Sequence, residues 1–125
     1  MIAAAPPPAH TAAAAVRTLR GRTSQGAPMR IAVRGSRIVA IHLTLLRYVC
    51  DPEGDIAPLA VDRMLDVDPG ADRVFGLTLG PPSERLRIDG RRSADGRQLR
   101  GSLRVRGTIG TGDPCRSSRI TFALG

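Results

Sequence analysis

The chain has 125 residues and a mass of 13.2 kDa, which is enough for one domain and too short for several. All 19 basic residues are arginine, and against 11 acidic residues they give a formal net charge of +8. Because lysine is absent, Schiff-base mechanisms, pyridoxal-phosphate lysines and the lysine of a phosphate-binding P-loop are excluded.

The amino-terminal segment, residues 1–15, is rich in alanine and proline and contains no arginine or acidic residue. Small residues of this kind are typical of the region where a secretory signal peptide is cleaved. We interpret the segment as a signal-peptide remnant or a disordered arm, and we assign residues 16–125 to a single domain. No apolar run reaches the ~18 residues of a membrane-spanning helix, so we expect no transmembrane segment.

Beyond this segment, proline and glycine interrupt the chain about every eight to twelve residues, and no long window keeps the apolar period of a helix. This pattern is typical of all-β domains. It predicts eight strands, near residues 16–22, 29–34, 37–49, 61–66, 73–79, 84–92, 97–109 and 119–124. We therefore expect a single antiparallel β-sandwich, with a barrel as the alternative.

A first hairpin is predicted at Gly35-Ser36, because glycine in the first position suits a type II′ turn. The register that follows pairs Val33 with Ile38 and Ile31 with Ala40.

The next predicted strand, residues 37–49, is apolar on both faces and is expected at the centre of the sheet. His42 lies within it between apolar neighbours. This position favours a buried, hydrogen-bonded core histidine over a ligand or catalytic group.

The two cysteines, Cys50 and Cys115, are far apart and belong to no Cys-x-x-Cys pair. Their spacing suits a disulfide better than a metal site or a redox motif. The alternative is a pair of buried free thiols in a cytoplasmic protein.

Residues 51–72 contain seven acidic residues and one arginine, whereas the segments on either side are strongly basic. This order favours ion pairing between the middle of the chain and its two ends. Asp66, Asp68 and Asp72 also resemble the carboxylates of a calcium loop, but the glycine and glutamate of an EF-hand are not in place. Turn formation beside proline and glycine is the simpler interpretation, and we predict no metal and no cofactor.

A second hairpin is predicted at Asp95-Gly96, a pair typical of type I′ turns. On one face, pairing outward from this turn sets apolar residues or glycines opposite one another: Leu86 with Val105, Ile88 with Leu103 and Gly90 with Gly101. On the other face, it aligns Asp89 with Ser102 and six arginines in pairs: Arg85 with Arg106, Arg87 with Arg104, and Arg91 with Arg100. We call these six arginines the arginine ladder.

The arginine ladder is the candidate binding site, and its predicted ligand is an anionic polymer. Guanidinium groups bind phosphate, sulfate and carboxylate through paired hydrogen bonds, and outward residues follow one another about every 7 Å along a strand. The alternative is a solvated face offset by the acidic segment, in a structural or protein-interaction domain. Because Tyr48, Phe75 and Phe122 are the only aromatic residues, base stacking and sequence-specific nucleic-acid binding are not expected.

Catalytic motifs are absent from the sequence, which contains neither Gly-x-Ser-x-Gly nor His-Glu-x-x-His. The glycine-rich stretch 107–112 is followed by Asp113-Pro114 where a nucleotide-binding helix would begin, so it is predicted to be a loop. We predict a protein that is not an enzyme. A small hydrolase that uses two carboxylates brought together by the fold is the second alternative.

Several stretches resemble a group of uncharacterised small secreted β-sandwich domains of actinobacteria. They are Leu19–Gly26 with its Thr-Ser-Gln-Gly turn, Met29–Val33, Cys50, Asp95–Arg97, Gly101–Val105 and Cys115–Ser117. The resemblance implies secretion, a β-sandwich and pairing of the two cysteines, and it implies no activity. The chain departs from the group at Ser117-Ser118, where a glycine is expected, and in a final strand whose single aromatic residue is Phe122.

The sequence thus predicts a secreted, non-catalytic binding or envelope-associated module. Its expected partner is an anionic polymer or another component of the cell envelope. A cytoplasmic protein with free thiols is the alternative to a location outside the cell.

Overall fold

The computed structural model describes residues 15–125, which form eleven β-strands and no helix. The strands are β1 (Val16–Thr23), β2 (Pro28–Arg34), β3 (Arg37–Leu45), β4 (Val49–Cys50), β5 (Gly54–Asp55), β6 (Leu59–Val67), β7 (Val74–Leu79), β8 (Glu84–Arg92), β9 (Leu99–Ile109), β10 (Asp113–Arg116) and β11 (Ile120–Leu124). Except for Ala15, the segment interpreted as a signal remnant or arm lies outside the described residues. Within 15–125 there is no helix with the length and apolar character needed to span a membrane.

The strands form one antiparallel sheet that is not closed into a barrel, so the predicted all-β, sandwich-like fold is confirmed and the barrel alternative is wrong. The order is β5-β4-β10-β9-β11-β1-β2-β3-β6. Strand β8 pairs along the other edge of β9, and β7 pairs with β8. The long strand β9 is therefore where the sheet branches. Strand β8 pairs along one edge of β9, and β10 and β11 pair along the other edge.

A single core lies between the two halves of this sheet. Ile31 and Ile41 from β2 and β3 belong to the same buried cluster as Leu86 and Ile88 from β8, and all four are fully buried. Alternate residues along β8 and β9 are buried and exposed, as expected for strands with one face on the core and one in solvent. The core thus fixes which side chains of the β8–β9 hairpin face outward.

The first hairpin has the predicted turn but only part of the predicted register. Val33 pairs with Ile38 as expected, and Gly35 has the positive φ of +60° that a type II′ turn needs. The expected pairing of Ile31 with Ala40 is wrong, because a β-bulge between these positions sets Ile31 opposite Ile41. The extra residue keeps two fully buried isoleucines facing the core.

The long third strand is also shorter than predicted, ending at Leu45 instead of residue 49. Beyond it, the amides of Leu46 and Arg47 donate to the side-chain carbonyl of Gln25, at 2.8 and 3.3 Å. The amide of Tyr48 donates to the Asp55 carboxylate at 3.2 Å. Side chains thus take over the backbone hydrogen bonding, and β4, β5 and β10 then form short strands that the sequence pattern did not predict.

The second hairpin has every predicted pair, from Arg85 opposite Arg106 to Arg91 opposite Arg100. Its turn differs from type I′, because Gly96 has positive φ but Asp95 does not. The Asp95 carboxylate accepts from the Ser93 hydroxyl and the Arg97 amide, at 2.6 and 3.0 Å. These bonds stabilise a turn of different geometry that preserves the register.

Candidate functional site

The arginine ladder lies on the exposed face of the β8–β9 hairpin. Its six members are all exposed and stand in three cross-strand pairs, Arg85 with Arg106, Arg87 with Arg104, and Arg91 with Arg100. The opposite face of the same hairpin contributes fully buried core residues, which hold both strands in place. Like charges directly opposite on a sheet are destabilising, so this face has an electrostatic cost that an anion would relieve.

One carboxylate interrupts the ladder. Asp89 accepts two hydrogen bonds from Arg87, at 2.6 and 3.1 Å, on the same strand. This bonding raises the pKa of the Arg87 guanidinium and lowers the pKa of the Asp89 carboxyl. Among the described residues, no other ladder arginine forms an ion pair.

The acidic segment makes its contacts elsewhere. Asp66 forms an ion pair with Arg37 across β6 and β3, and Asp62 bonds to His42 on the same pair of strands. The pKa of Asp55 is lowered because its carboxylate accepts from backbone amides, above all that of Ala57. No ion pair within residues 15–125 joins the ladder to the acidic segment.

Sequence reasoning missed one arginine beside the ladder. Arg116 on β10 stands opposite Arg106, which stands opposite Arg85, so three strands place three arginines in one row. Finding Arg116 from sequence required the β9–β10 pairing. The predicted loop at residues 107–112 obscured it, because residues 107–109 belong to β9 and only 110–112 form the connection. Beyond this row, a cleft of about 600 Å³ lies beside the disulfide and is lined in part by Arg106 and Arg116.

The disulfide between Cys50 and Cys115 is formed, so the prediction is confirmed and the free-thiol alternative is wrong. The two residues face each other across β4 and β10, and both are buried.

The three residues of the calcium alternative engage separate partners. Asp66 pairs with Arg37, whereas Asp68 accepts from the Ser36 hydroxyl at 3.0 Å. Asp72, in the loop before β7, accepts from the amide of Val74, the first residue of β7, at 3.4 Å. In the part of the chain that the structure describes, no group of three His, Cys, Asp or Glu side chains is arranged to hold a metal ion.

Two carboxyl groups do meet beside the disulfide, those of Glu53 and Asp113. A side-chain hydrogen bond to Asp113 raises the pKa of Glu53, and the negative charges of Asp113 and Asp51 act in the same direction. Glu53 is exposed and Asp113 half-buried. Neither residue lines the neighbouring cleft.

His42 is hydrogen-bonded as predicted, but the prediction that it is buried in the core is wrong. Its imidazole points to the outer face of β3, where the side chain is 29 % exposed, and its Nδ1 lies 2.6 Å from Asp62 Oδ1. The bulge after Ile38 is the cause. It shifts the strand's alternation, so that Ile41 and Leu43 face the core and His42 faces outward.

Comparison with protein-family models, with curated proteins and with solved structures finds no match to this chain. The resemblance to secreted actinobacterial domains therefore stays a prediction.

Proposed function

We propose that this protein is an exported, non-catalytic binding module whose arginine ladder binds an anionic polymer. The observation that supports this most directly is the charge balance of the face. Five of its six arginines have no carboxylate partner among the described residues, although the chain contains eleven acidic residues. The acidic segment contacts β3 instead of the ladder, so the face stays strongly positive.

The burial of the aromatic residues supports recognition by charge. Tyr48, Phe75 and Phe122 are each at least nine-tenths buried, so they offer no platform for base stacking. A row of guanidinium groups recognises a repeating anion without reading a base sequence. The buried disulfide supports export, because such bonds persist in oxidising compartments.

The first test is binding to heparin, used as a sulfated polysaccharide, over a series of salt concentrations. We expect saturable binding that weakens as salt rises, because each bound charge releases counterions. The test variant changes Arg85, Arg104 and Arg106 to serine. Arg87 is retained, because its removal would leave Asp89 unpaired. We expect this variant to bind at least about tenfold more weakly and with a shallower salt slope, because fewer arginines release counterions from the polymer.

The matched control changes Arg17, Arg34 and Arg47 to serine. These residues are exposed and lie on β1, on β2 and after β3, so the variant has the same net charge as the test variant. The control should lose much less affinity. Equal loss in both variants would mean that net charge and not the ladder governs binding, and absence of heparin binding in the unmodified chain would contradict the proposal.

A further inference from the structure

A shallow depression of about 230 Å³ lies on the outer face of β1, β2, β3 and β6, away from the β8–β9 hairpin. Four polar residues cross it in a single row. Arg20 on β1 stands opposite Arg30 on β2, Arg30 opposite His42 on β3, and His42 opposite Asp62 on β6. Ala60, which precedes Asp62 on the same face of β6, is small and leaves space beside the row.

Asp62 fixes the orientation of the imidazole. A carboxylate accepts hydrogen bonds, so the 2.6 Å contact to Oδ1 of Asp62 assigns the proton to Nδ1 of His42. The other ring nitrogen, Nε2, is then the atom of the imidazole available to a ligand. When the ring is protonated, Nε2–H is a third cationic donor beside the two guanidinium groups.

The two arginines are not neutralised by acidic neighbours. Among residues 15–125, neither Arg20 nor Arg30 forms an ion pair. Residues directly opposite on antiparallel strands have Cβ atoms about 5 Å apart, so the donor groups of the row can reach one small ligand. The arrangement places three nitrogen donors from three strands around one space and offers a single carboxylate, which is already bonded to the imidazole.

We propose that this row binds one tetrahedral oxyanion group, a sulfate or a phosphate, with Arg20, Arg30 and His42 as donors and Asp62 as the positioning residue. Guanidinium groups match such oxygens through paired hydrogen bonds. The site shares no residue with the arginine ladder and does not depend on the function proposed for it.

The proposal includes a dependence on pH. Arg20, Arg30, His42 and Asp62 are the titratable residues that line the depression, and the arginines keep their charge throughout the physiological range. A protonated imidazole donates to an anion through Nε2–H and carries a positive charge, whereas the neutral ring with its proton on Nδ1 does neither, so affinity falls as pH rises. A sulfate probe isolates this effect, because sulfate itself stays fully ionised over that range.

The experiment measures sulfate binding to the full chain by titration with NMR detection of the His42 ring and backbone signals. We expect the dissociation constant to rise at least about fivefold between about pH 5.5 and about pH 8. Arg30→Ser should weaken binding at least about tenfold. His42→Gln should remove the pH dependence while keeping the fold, which the dispersion of the remaining signals verifies.

Two controls separate this site from a general attraction to the basic protein. Arg34→Ser, on the same strand as Arg30 but outside the depression, and the variant lacking Arg85, Arg104 and Arg106 should each bind sulfate as the unmodified chain does. Inorganic phosphate and a phosphate monoester, compared at one pH, show whether the site takes a free ion or the end group of a larger molecule. Absence of saturable binding, equal weakening in the controls, or pH dependence that survives in His42→Gln would overturn the proposal.

Discussion

At the scale of single residues, Arg63 joins two strands that do not pair. It lies on β6, and its Nη2 donates to both the backbone oxygen and the carboxylate of Glu84 on β8, at 2.6 and 2.9 Å. Its side chain is only 16 % exposed. The guanidinium therefore acts as a polar link where the two halves of the sheet meet without backbone hydrogen bonds between them.

The link depends on the glycine beside it. Gly80 has a φ of +93°, and a Cβ added there would lie 2.7 Å from Nε of Arg63 and 2.6 Å from the backbone oxygen of Glu84. We expect Gly80→Ala to lower the free energy of unfolding by at least about 1 kcal/mol more than Gly26→Ala. Gly26 has a similar φ of +85°, but a Cβ added there would have no neighbour within 4 Å. Gly26→Ala therefore measures the cost of the backbone conformation alone, without a steric clash. Chemical denaturation measures both variants, and equal losses would contradict the role of the clash.

At the scale of elements, Arg92 connects the turns of the two predicted hairpins. It ends β8 and is buried, unlike the ladder arginines that precede it. Its Nη2 donates to the backbone oxygen of Gly35 at 3.0 Å, and its Nε donates to that of Gly96 at 3.4 Å. A single guanidinium thus holds the β2–β3 turn against the β8–β9 turn.

Replacing Arg92 with methionine keeps a long side chain but removes the donor to the Gly35 carbonyl, whereas the Gly96 carbonyl still accepts from Arg17 at 3.2 Å. We expect the free energy of unfolding to fall by about 1–3 kcal/mol, the range for losing a hydrogen bond from a charged donor together with its link between two turns. Arg91→Met, at the exposed neighbouring position, should change it by no more than about 0.5 kcal/mol. Urea denaturation of both variants gives the comparison, and similar values for the two would show that the bonds to the turns contribute nothing.

The sequence predicted those elements whose determinants are local. Turn glycines and the alternation of apolar and polar residues were enough to predict the positions of the long strands and the whole register of the β8–β9 hairpin. That register in turn predicted which arginines form the ladder. The bulge before Ala40 was not predictable from local signals, because it is seen only in the pairing of β2 with β3, where it sets buried Ile31 beside buried Ile41 on the core face. His42 and Arg116 were misjudged or missed for the same reason, since their positions follow from a bulge and from a pairing with β10.

At the scale of the whole molecule, the disulfide closes a long loop. Cys50 and Cys115 are 65 residues apart in sequence and connect β4 to β10. In the chain-entropy model, closing a loop of this length lowers the entropy of the unfolded chain and so stabilises the folded state by about 4 kcal/mol. We expect a variant with both cysteines changed to alanine to lose stability of that order in urea denaturation, and reduction of the unmodified chain to lower its midpoint similarly. Unchanged midpoints after verified reduction would contradict this expectation.

The position of β11 in the sheet has a consequence for the order in which the chain can fold. This strand lies between β9 and β1, yet it follows every other described strand in the sequence. A chain emerging from the ribosome would therefore hold two separate half-sheets, one from β1, β2, β3 and β6 and one around β8 and β9. Before residues 120–124 arrive, only the short β4–β10 pair connects the segment between β3 and β6 to the half around β9. Direct pairing of β1 with the other half through β11 comes last. Completion of the fold is thus a late, long-range event, which is typical of slowly folding β-proteins.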